Sequence, residues 1–132
     1  MSKPRSAFSF SDRMKSFRYA LQGLLYALAT QHNFRIHVVA TVSVIGLGFV
    51  WGISANDWRW LVVAIAIVLA AELVNTAFEH LCDVVQPELH ASVKAAKDVA
   101  AGAVLIASVA AAVIGLMVFW PYMIAQIWPA PH

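Results

Sequence analysis

The chain has 132 residues, of which 61% are hydrophobic and 12% are charged, and its formal net charge at pH 7 is +2. Soluble domains carry roughly a quarter charged residues, so this composition, with a mean hydropathy of +0.74, excludes an ordinary soluble protein. The sequence predicts an all-α integral membrane protein that forms a single domain over residues 1–132, and no nucleic-acid partner is expected.

The N-terminal segment predicts an amphipathic helix over residues 10–31 that lies on the membrane surface. Its charged and polar residues alternate at helical spacing with the apolar residues Met14, Phe17, Leu21, Leu24 and Leu28. A helix with a basic face suits anionic head groups or phosphates, although a simple membrane anchor explains the pattern equally well. The segment has no apolar core followed by a cleavage site, so we expect no cleavable signal peptide.

Three apolar segments predict transmembrane helices over residues 35–54, 58–83 and 95–124. Each is close to the length of about 20 residues that spans a bilayer core. Pro121 has no backbone N–H, which predicts a break in the third helix. An outer interfacial tail is predicted at Trp120, Pro121 and residues 128–132. Many alanines in the third helix favour close helix packing and therefore an oligomer.

The distribution of Lys and Arg predicts the orientation. Six of the nine basic residues lie before or at the start of the first predicted span, and these are Lys3, Arg5, Arg13, Lys15, Arg18 and Arg35. Arg59 is the single basic residue at the first loop, and Lys94 and Lys97 lie near the second loop. No Lys or Arg follows the third span. Because cytoplasmic loops are rich in Lys and Arg, we expect a multi-pass protein of the cell (inner) membrane with a cytoplasmic N-terminus.

The second predicted span carries a polar stripe, formed by Glu72, Asn75, Glu79 and Asp83. At about 100° per residue, these four side chains fall within a sector of about 80° on one helix face. A carboxylate inside a membrane is costly unless a partner, a cation or water meets it, so such groups mark a functional site by default. Taken alone, Asn75 is more often an interhelical hydrogen-bond donor. Three spans can hardly enclose this stripe, which also indicates a homo-oligomer.

The depth of these residues indicates their chemistry. Counted from Arg59 at the outer interface, Glu72 lies roughly 20 Å and Glu79 roughly 30 Å into the membrane. A desolvated carboxylate such as Glu72 is a candidate general base for a hydroxyl proton. Glu79 and Asp83 lie near cytoplasmic water and suit Mg²⁺, which prefers carboxylates together with phosphate oxygens. With Lys97 to neutralise a phosphate, these are the parts that phosphoryl transfer needs.

Other chemistry is not indicated. Cys82 is the single cysteine, so no internal disulfide is possible, and the five histidines show no zinc-binding spacing.

The stripe resembles the signature of the prokaryotic diacylglycerol kinase family. The resemblance rests on residues 71–79 (Ala-Glu-Leu-Val-Asn-Thr-Ala-Phe-Glu), on Asp83 and His90, and on residues 96–105, which begin Ala-Lys-Asp-Val-Ala-Ala-Gly. Residues 33–37 (Asn-Phe-Arg-Ile-His) are more similar to the undecaprenol kinase branch than to the enterobacterial diacylglycerol kinases.

The resemblance implies a homotrimer that transfers the γ-phosphoryl group of ATP to a membrane lipid alcohol, either undecaprenol or diacylglycerol, with Mg²⁺. It gives Glu72 the place of the general base and Glu79 that of a metal ligand. The nucleotide-binding positions are Asp83, Glu88, His90, Lys97 and Asp98, and the substrate-binding positions are Asn75, Arg35 and Arg18. Gln31 stands where the family commonly has a second metal-binding glutamate, so it is a candidate ligand without charge.

Two alternatives belong to other functional classes. A cation-conducting oligomer would line a water-filled path with the polar stripe, but residues 60–71 offer no polar group in the outer half of the span. A non-catalytic oligomer that retains the kinase scaffold is the second alternative, and Gln31 would then be an early sign of lost activity.

Overall fold

The computed structural model describes residues 9–127, which form four α-helices. They are α1 (Phe10–Thr30), α2 (His32–Trp51), α3 (Ala55–Val85) and α4 (Ala91–Ile127). The predicted all-helical architecture is confirmed for this part of the chain. Lys3, Arg5 and the predicted tail at 128–132 lie outside the described residues.

Local capping explains where the helices begin and end. The Ser9 hydroxyl accepts a hydrogen bond from the Asp12 N–H at 3.4 Å, and the Ser54 hydroxyl accepts one from the Asp57 N–H at 3.2 Å. Both are N-cap interactions that satisfy an amide at the start of a helix. Gly52 ends α2 with a φ of +60°, a left-handed conformation that favours glycine.

Helices α2, α3 and α4 are each long and apolar enough to cross a membrane. The predicted set of three long apolar helices is therefore confirmed. Large apolar side chains are exposed along all three, including Val50, Val74 and Val99 at 77%, 69% and 75%. Such a surface is typical of a protein that is solvated by lipid or covered by other subunits.

The core lies at the end of the bundle that carries the turn 52–54. Buried side chains of Ile53, Leu61, Val118 and Phe119 meet there. Gly48 allows α2 to approach this end of α3, because a Cβ on Gly48 would lie 2.8 Å from the Trp58 ring. The most extensive helix packing is between α3 and α4.

A hydrogen-bond network, here called the Tyr122 network, fastens α4 to the start of α3. The Tyr122 hydroxyl accepts from the Ser54 N–H at 2.9 Å and donates to Asp57 Oδ2 at 2.7 Å. The Ser54 hydroxyl donates to the same carboxylate oxygen at 2.6 Å. This network closes the end of the bundle at 52–54.

The predicted break at Pro121 is wrong, because α4 continues through Pro121 to Ile127. Proline removes one backbone donor, but apolar helices tolerate it where neighbouring groups fix the segment. Tyr122, the next residue, is held by the Tyr122 network, which fixes the helix directly after the proline.

Candidate functional site

The polar stripe begins at Glu72, in the interior of the bundle. It ends at Asp83, near the end of α3 that lies opposite the turn 52–54, and this end is called the lower end of the stripe. Glu72 and Asn75 are 3% and 7% exposed, Glu79 is half-buried and Asp83 is exposed. The premise that three spans can hardly enclose these groups is therefore wrong for Glu72 and Asn75, since one chain buries both. The helix that carries them, α3, packs on both α2 and α4.

Within the stripe, Asn75 and Glu79 form a hydrogen bond. Asn75 Nδ2 donates to Glu79 Oε1 at 3.0 Å, one helical turn along α3. Asn75 Oδ1 is buried, and no hydrogen-bond partner for it exists among the described residues. A buried acceptor without a donor is costly, so this amide oxygen is available to a proton donor or a cation.

Two ion pairs lie at the lower end of the stripe. Lys97 on α4 donates to Asp83 Oδ1 on α3, which joins the two helices. Lys94 donates to Asp98 Oδ2 at 2.9 Å, one turn apart on α4. Three predicted site residues, Asp83, Lys97 and Asp98, are thus brought to one end of the bundle, and Lys94 joins them as a fourth that was not predicted as a site residue. The spacing of Lys94 and Asp98 along one helix is the signal that predicts this pair.

Glu88 and His90 lie in the exposed connection 86–90 between α3 and α4. His90 Nδ1 accepts a hydrogen bond from the Ser92 N–H at 3.3 Å, and the His90 carbonyl accepts one from the Lys94 N–H at 3.0 Å. His90 therefore caps the start of α4 in this structure. Its predicted contact with nucleotide stays a prediction.

Gln31 is the half-buried residue between α1 and α2. Its backbone N–H donates to the Ala27 carbonyl at 2.8 Å, and its side-chain Nε2 donates to the Thr30 hydroxyl at 3.4 Å. With the amide nitrogen engaged in this way, the amide oxygen is the group that could ligate a cation.

The two candidate substrate-binding arginines differ in their surroundings. Arg35 donates from Nε to the Leu28 carbonyl at 2.9 Å and from Nη2 to the Ala29 carbonyl at 2.6 Å. A cation at the C-terminal carbonyls of a helix is favourable, so Arg35 fastens the end of α1 to α2. Arg18 is exposed on α1.

An apolar cleft of about 540 Å³ lies between α2, α3 and α4. Its walls include Thr41, Ala64, Val68 and Ala111, and His37 stands at the end nearest the stripe. His37 on α2 lies close enough to Glu72 on α3 for an electrostatic interaction between the two side chains. No local sequence pattern relates His37 to Glu72, because the two residues come together only when α2 packs on α3.

The described residues contain no group of three or more His, Cys, Asp or Glu side chains that could hold a metal ion alone. The groups present are the Glu79 carboxylate and the amide oxygens of Asn75 and Gln31. These hard oxygen donors fit Mg²⁺ that is bound mainly through substrate phosphates, which is how this ion is commonly held.

Comparison with known proteins shows the family of this chain. Residues 18–119 match the family model described as prokaryotic diacylglycerol kinase. The chain is 38% identical over 107 residues to an undecaprenol kinase of Bacillus subtilis, which covers 81% of this chain and 87% of that protein. It is 41% identical over 111 residues to a diacylglycerol kinase of Synechocystis, covering 83% of this chain and 63% of that protein. A diacylglycerol kinase of Escherichia coli is 26% identical over 113 residues, covering 86% of this chain and 93% of that protein.

The class that the fold and these matches define is that of membrane-bound lipid kinases. The chain belongs to the prokaryotic diacylglycerol kinase family. The predicted family membership is confirmed.

Proposed function

We propose that this protein transfers the γ-phosphoryl group of ATP to the hydroxyl of a membrane lipid, either undecaprenol or diacylglycerol. The observation that carries the proposal is one continuous stripe on α3, in which a buried carboxylate, Glu72, is followed by Glu79 and then by the Asp83–Lys97 ion pair. At 1.5 Å per residue, Glu72 and Asp83 are about 16 Å apart along the helix axis. That distance suits a nucleotide at one end and a lipid hydroxyl at the other.

Glu72 is the proposed general base. It is 3% exposed and lies against protein, so water competes little for its carboxylate. The lipid hydroxyl would give its proton to Glu72 while its oxygen forms a bond to the γ-phosphorus. The bond between that phosphorus and the bridging oxygen breaks, and ADP leaves with the electron pair.

Mg²⁺ is the proposed cation. It would be bound by phosphate oxygens of ATP together with the Glu79 carboxylate and the amide oxygen of Gln31. When bound, the ion neutralises phosphate charge and orients the γ-phosphoryl group. Asn75 donates to Glu79 Oε1, so it fixes the orientation of this carboxylate and contributes to the substrate-binding part of the site.

The nucleotide is proposed to lie at the lower end of the stripe. Lys97 would contact its phosphates, and Asp83, Glu88, His90 and Asp98 would surround the rest of it. The support is their shared position at the bundle end where α3, the connection 86–90 and α4 meet. Arg18 and Arg35 are proposed to attract phosphate or the lipid head group from α1 and the start of α2.

The lipid chain is proposed to lie in the cleft between α2, α3 and α4. The cleft has apolar walls, and its His37 end lies nearest to Glu72. A chain in this cleft would therefore present its hydroxyl to the base.

The protein is proposed to work as a homotrimer in the inner membrane, with the N-terminal side of α1 on the membrane surface facing the cytoplasm. The positive residues near the lower end of the stripe, Lys94 and Lys97 among them, support this orientation. The exposed apolar surface of the three long helices supports association.

The two alternative functions gain no support. The Tyr122 network and the core around Leu61 close the end of the bundle at 52–54, which is unfavourable for a cation path. The non-catalytic alternative requires that the site be dismantled, but Asn75 is hydrogen-bonded to Glu79 and lies about one helical turn from the buried Glu72.

The decisive experiment is transfer of labelled phosphate from ATP to extracted lipid by purified protein in bicelles. Undecaprenol, diacylglycerol and ceramide are offered side by side to identify the acceptor. Glu72→Gln is expected to retain nucleotide binding and to lower turnover by at least about a hundredfold, because it removes the base and keeps the shape. Asp12→Asn removes an exposed carboxylate on α1 and serves as the matched control. Transfer by Glu72→Gln at the parental rate would exclude Glu72 as the base.

A further inference from the structure

A contact between α1 and α3, here called the Tyr26–His80 tether, involves the residue that follows the proposed metal ligand Glu79 on α3. The Tyr26 hydroxyl is 3.3 Å from His80 Nε2, and the two rings are 5.5 Å apart between centroids with a tilt of 59°. His80 follows Glu79 on α3. The tether therefore brings α1 to the level of the stripe where the cation is proposed to bind.

The tether continues through two further hydrogen bonds to Gln31. The Thr30 hydroxyl donates to the Tyr26 carbonyl at 2.8 Å, and Gln31 Nε2 donates to the Thr30 hydroxyl at 3.4 Å. His80, Tyr26, Thr30 and Gln31 thus form one connected path. It begins next to Glu79 and ends at the other candidate metal ligand.

Few other contacts fix α1. Ala27 is its only buried residue among those that the structure describes, and large side chains such as Phe17 and Leu25 are 70% and 56% exposed. Arg35 fastens the end of α1 to α2. The motion that the tether restricts is therefore rotation of α1 relative to α3. Because α1 has few contacts with the rest of the chain, a single polar contact to α3 changes its position relative to α3 appreciably.

We propose that Tyr26 and His80 are positioning residues that hold Gln31 opposite Glu79 and thereby set the affinity for Mg·ATP. This inference rests on the proposed kinase function and deepens it. Neither residue touches substrate. They act by raising the fraction of molecules in which both ligands are in place before nucleotide binds.

The fraction of molecules with both ligands in place determines the expected change in the kinetics. If loss of the tether lowers the binding-competent population, the apparent affinity falls by the same factor, while the bound complex reacts normally. Tyr26→Phe removes the hydroxyl and keeps the ring. It should raise the KM for Mg·ATP about three- to tenfold, the range expected for one net hydrogen bond, and leave kcat and the KM for lipid within about twofold.

The test uses the full chain in nanodiscs and three further variants. His80→Leu should reproduce the effect of Tyr26→Phe, His80→Gln should restore much of the affinity because it keeps a polar side chain, and Tyr19→Phe on the exposed face of α1 should behave as wild type. A second readout needs no catalysis. Amide hydrogen exchange across residues 24–33, measured without nucleotide, should be faster in Tyr26→Phe than in Tyr19→Phe.

The outcomes separate the tether from the kinase proposal. Absence of phosphoryl transfer in the wild type would exclude the proposed function, whereas the exchange measurement would still show whether the tether holds α1. Unchanged exchange in Tyr26→Phe overturns the inference. Faster exchange with an unchanged KM for Mg·ATP also overturns it, since the tether would then hold the helix without affecting the site. If kcat, the apparent affinities for Mg·ATP and for lipid, and the thermal stability all fall together, the contact is purely structural. This outcome also overturns the inference.

Discussion

Lys97 on α4 donates a hydrogen bond to Asp83 on α3, and this ion pair brings the charged start of α4 against the lower end of the polar stripe. The Lys97 and Asp83 side chains are 31% and 63% exposed. Exposed pairs of this kind contribute only about 0–1 kcal/mol to stability. The pair therefore has little structural value, which supports a role in binding phosphate.

Exchanging the charges of Asp83 and Lys97 distinguishes a structural role of this ion pair from a role in binding phosphate. Asp83→Lys and Lys97→Asp should each lower kcat/KM for ATP about ten- to hundredfold, since hydrogen bonds to charged groups contribute about 1.5–3 kcal/mol. The double variant restores the ion pair but places the positive charge on the wrong helix, so its activity should stay low. The corresponding exchange of Lys94 and Asp98 provides a second comparison. Recovery of kcat/KM in the Asp83 and Lys97 double variant would show that the pair only joins α3 to α4.

Gln31→Glu should increase the apparent affinity for Mg²⁺. A carboxylate adds a charge at the end of the path from His80 through Tyr26 and Thr30, where Gln31 now offers an amide oxygen. We expect the half-saturating Mg²⁺ concentration to fall about three- to tenfold, as measured by phosphoryl transfer across a magnesium titration at fixed ATP.

Gln22→Glu makes the same charge change at an exposed position of α1 and is the matched control for Gln31→Glu. An equal response of both variants would indicate a general electrostatic effect. No response of Gln31→Glu would show that Gln31 lies away from the cation.

Asn75→Leu should separate activity from stability. The buried Oδ1 of Asn75 has no partner among the described residues, so removing the amide relieves one unsatisfied acceptor while it deletes the hydrogen bond to Glu79. The free energy of unfolding should change by less than about 1 kcal/mol, and turnover should fall at least about tenfold because Glu79 loses its orienting donor.

Thermal unfolding in detergent and phosphoryl transfer measure these two quantities for Asn75→Leu. Thr76→Val changes a buried neighbour that is 6% exposed and should keep near-normal turnover. If Asn75→Leu unfolds at a much lower temperature and Thr76→Val loses activity equally, the polar groups serve packing alone.

The sequence predicted the parts of the fold that depend on local pattern. Apolar length gave three long helices, and the spacing of Glu72, Asn75 and Glu79 placed them on one face of α3. It could not predict that Glu72 and Asn75 would be buried within a single chain, because burial depends on how helices pack.

Contacts between distant residues explain the remaining differences. Helix α4 continues through Pro121, and the next residue, Tyr122, is held by Ser54 and Asp57 across the bundle. No local pattern reports this pairing. The Tyr26–His80 tether is likewise a tertiary contact. By contrast, the capping of α3 by Ser54 and the pairing of Lys94 with Asp98 follow rules of short spacing, and both are readable from the sequence.

Tyr122→Phe should lower stability and leave the chemistry unchanged. The variant deletes the acceptor of the Ser54 N–H and one donor to Asp57, at the end of the bundle opposite to Lys97. Two lost hydrogen bonds in a partly buried network should cost about 1–3 kcal/mol in the free energy of unfolding, while the KM for Mg·ATP and kcat stay within about twofold at temperatures well below unfolding. Tyr19→Phe, an exposed tyrosine on α1, should change neither quantity. The comparison is made by urea or thermal unfolding in detergent and by phosphoryl transfer. A specific loss of kcat in a stable Tyr122→Phe protein would show that the Tyr122 network is coupled to the stripe.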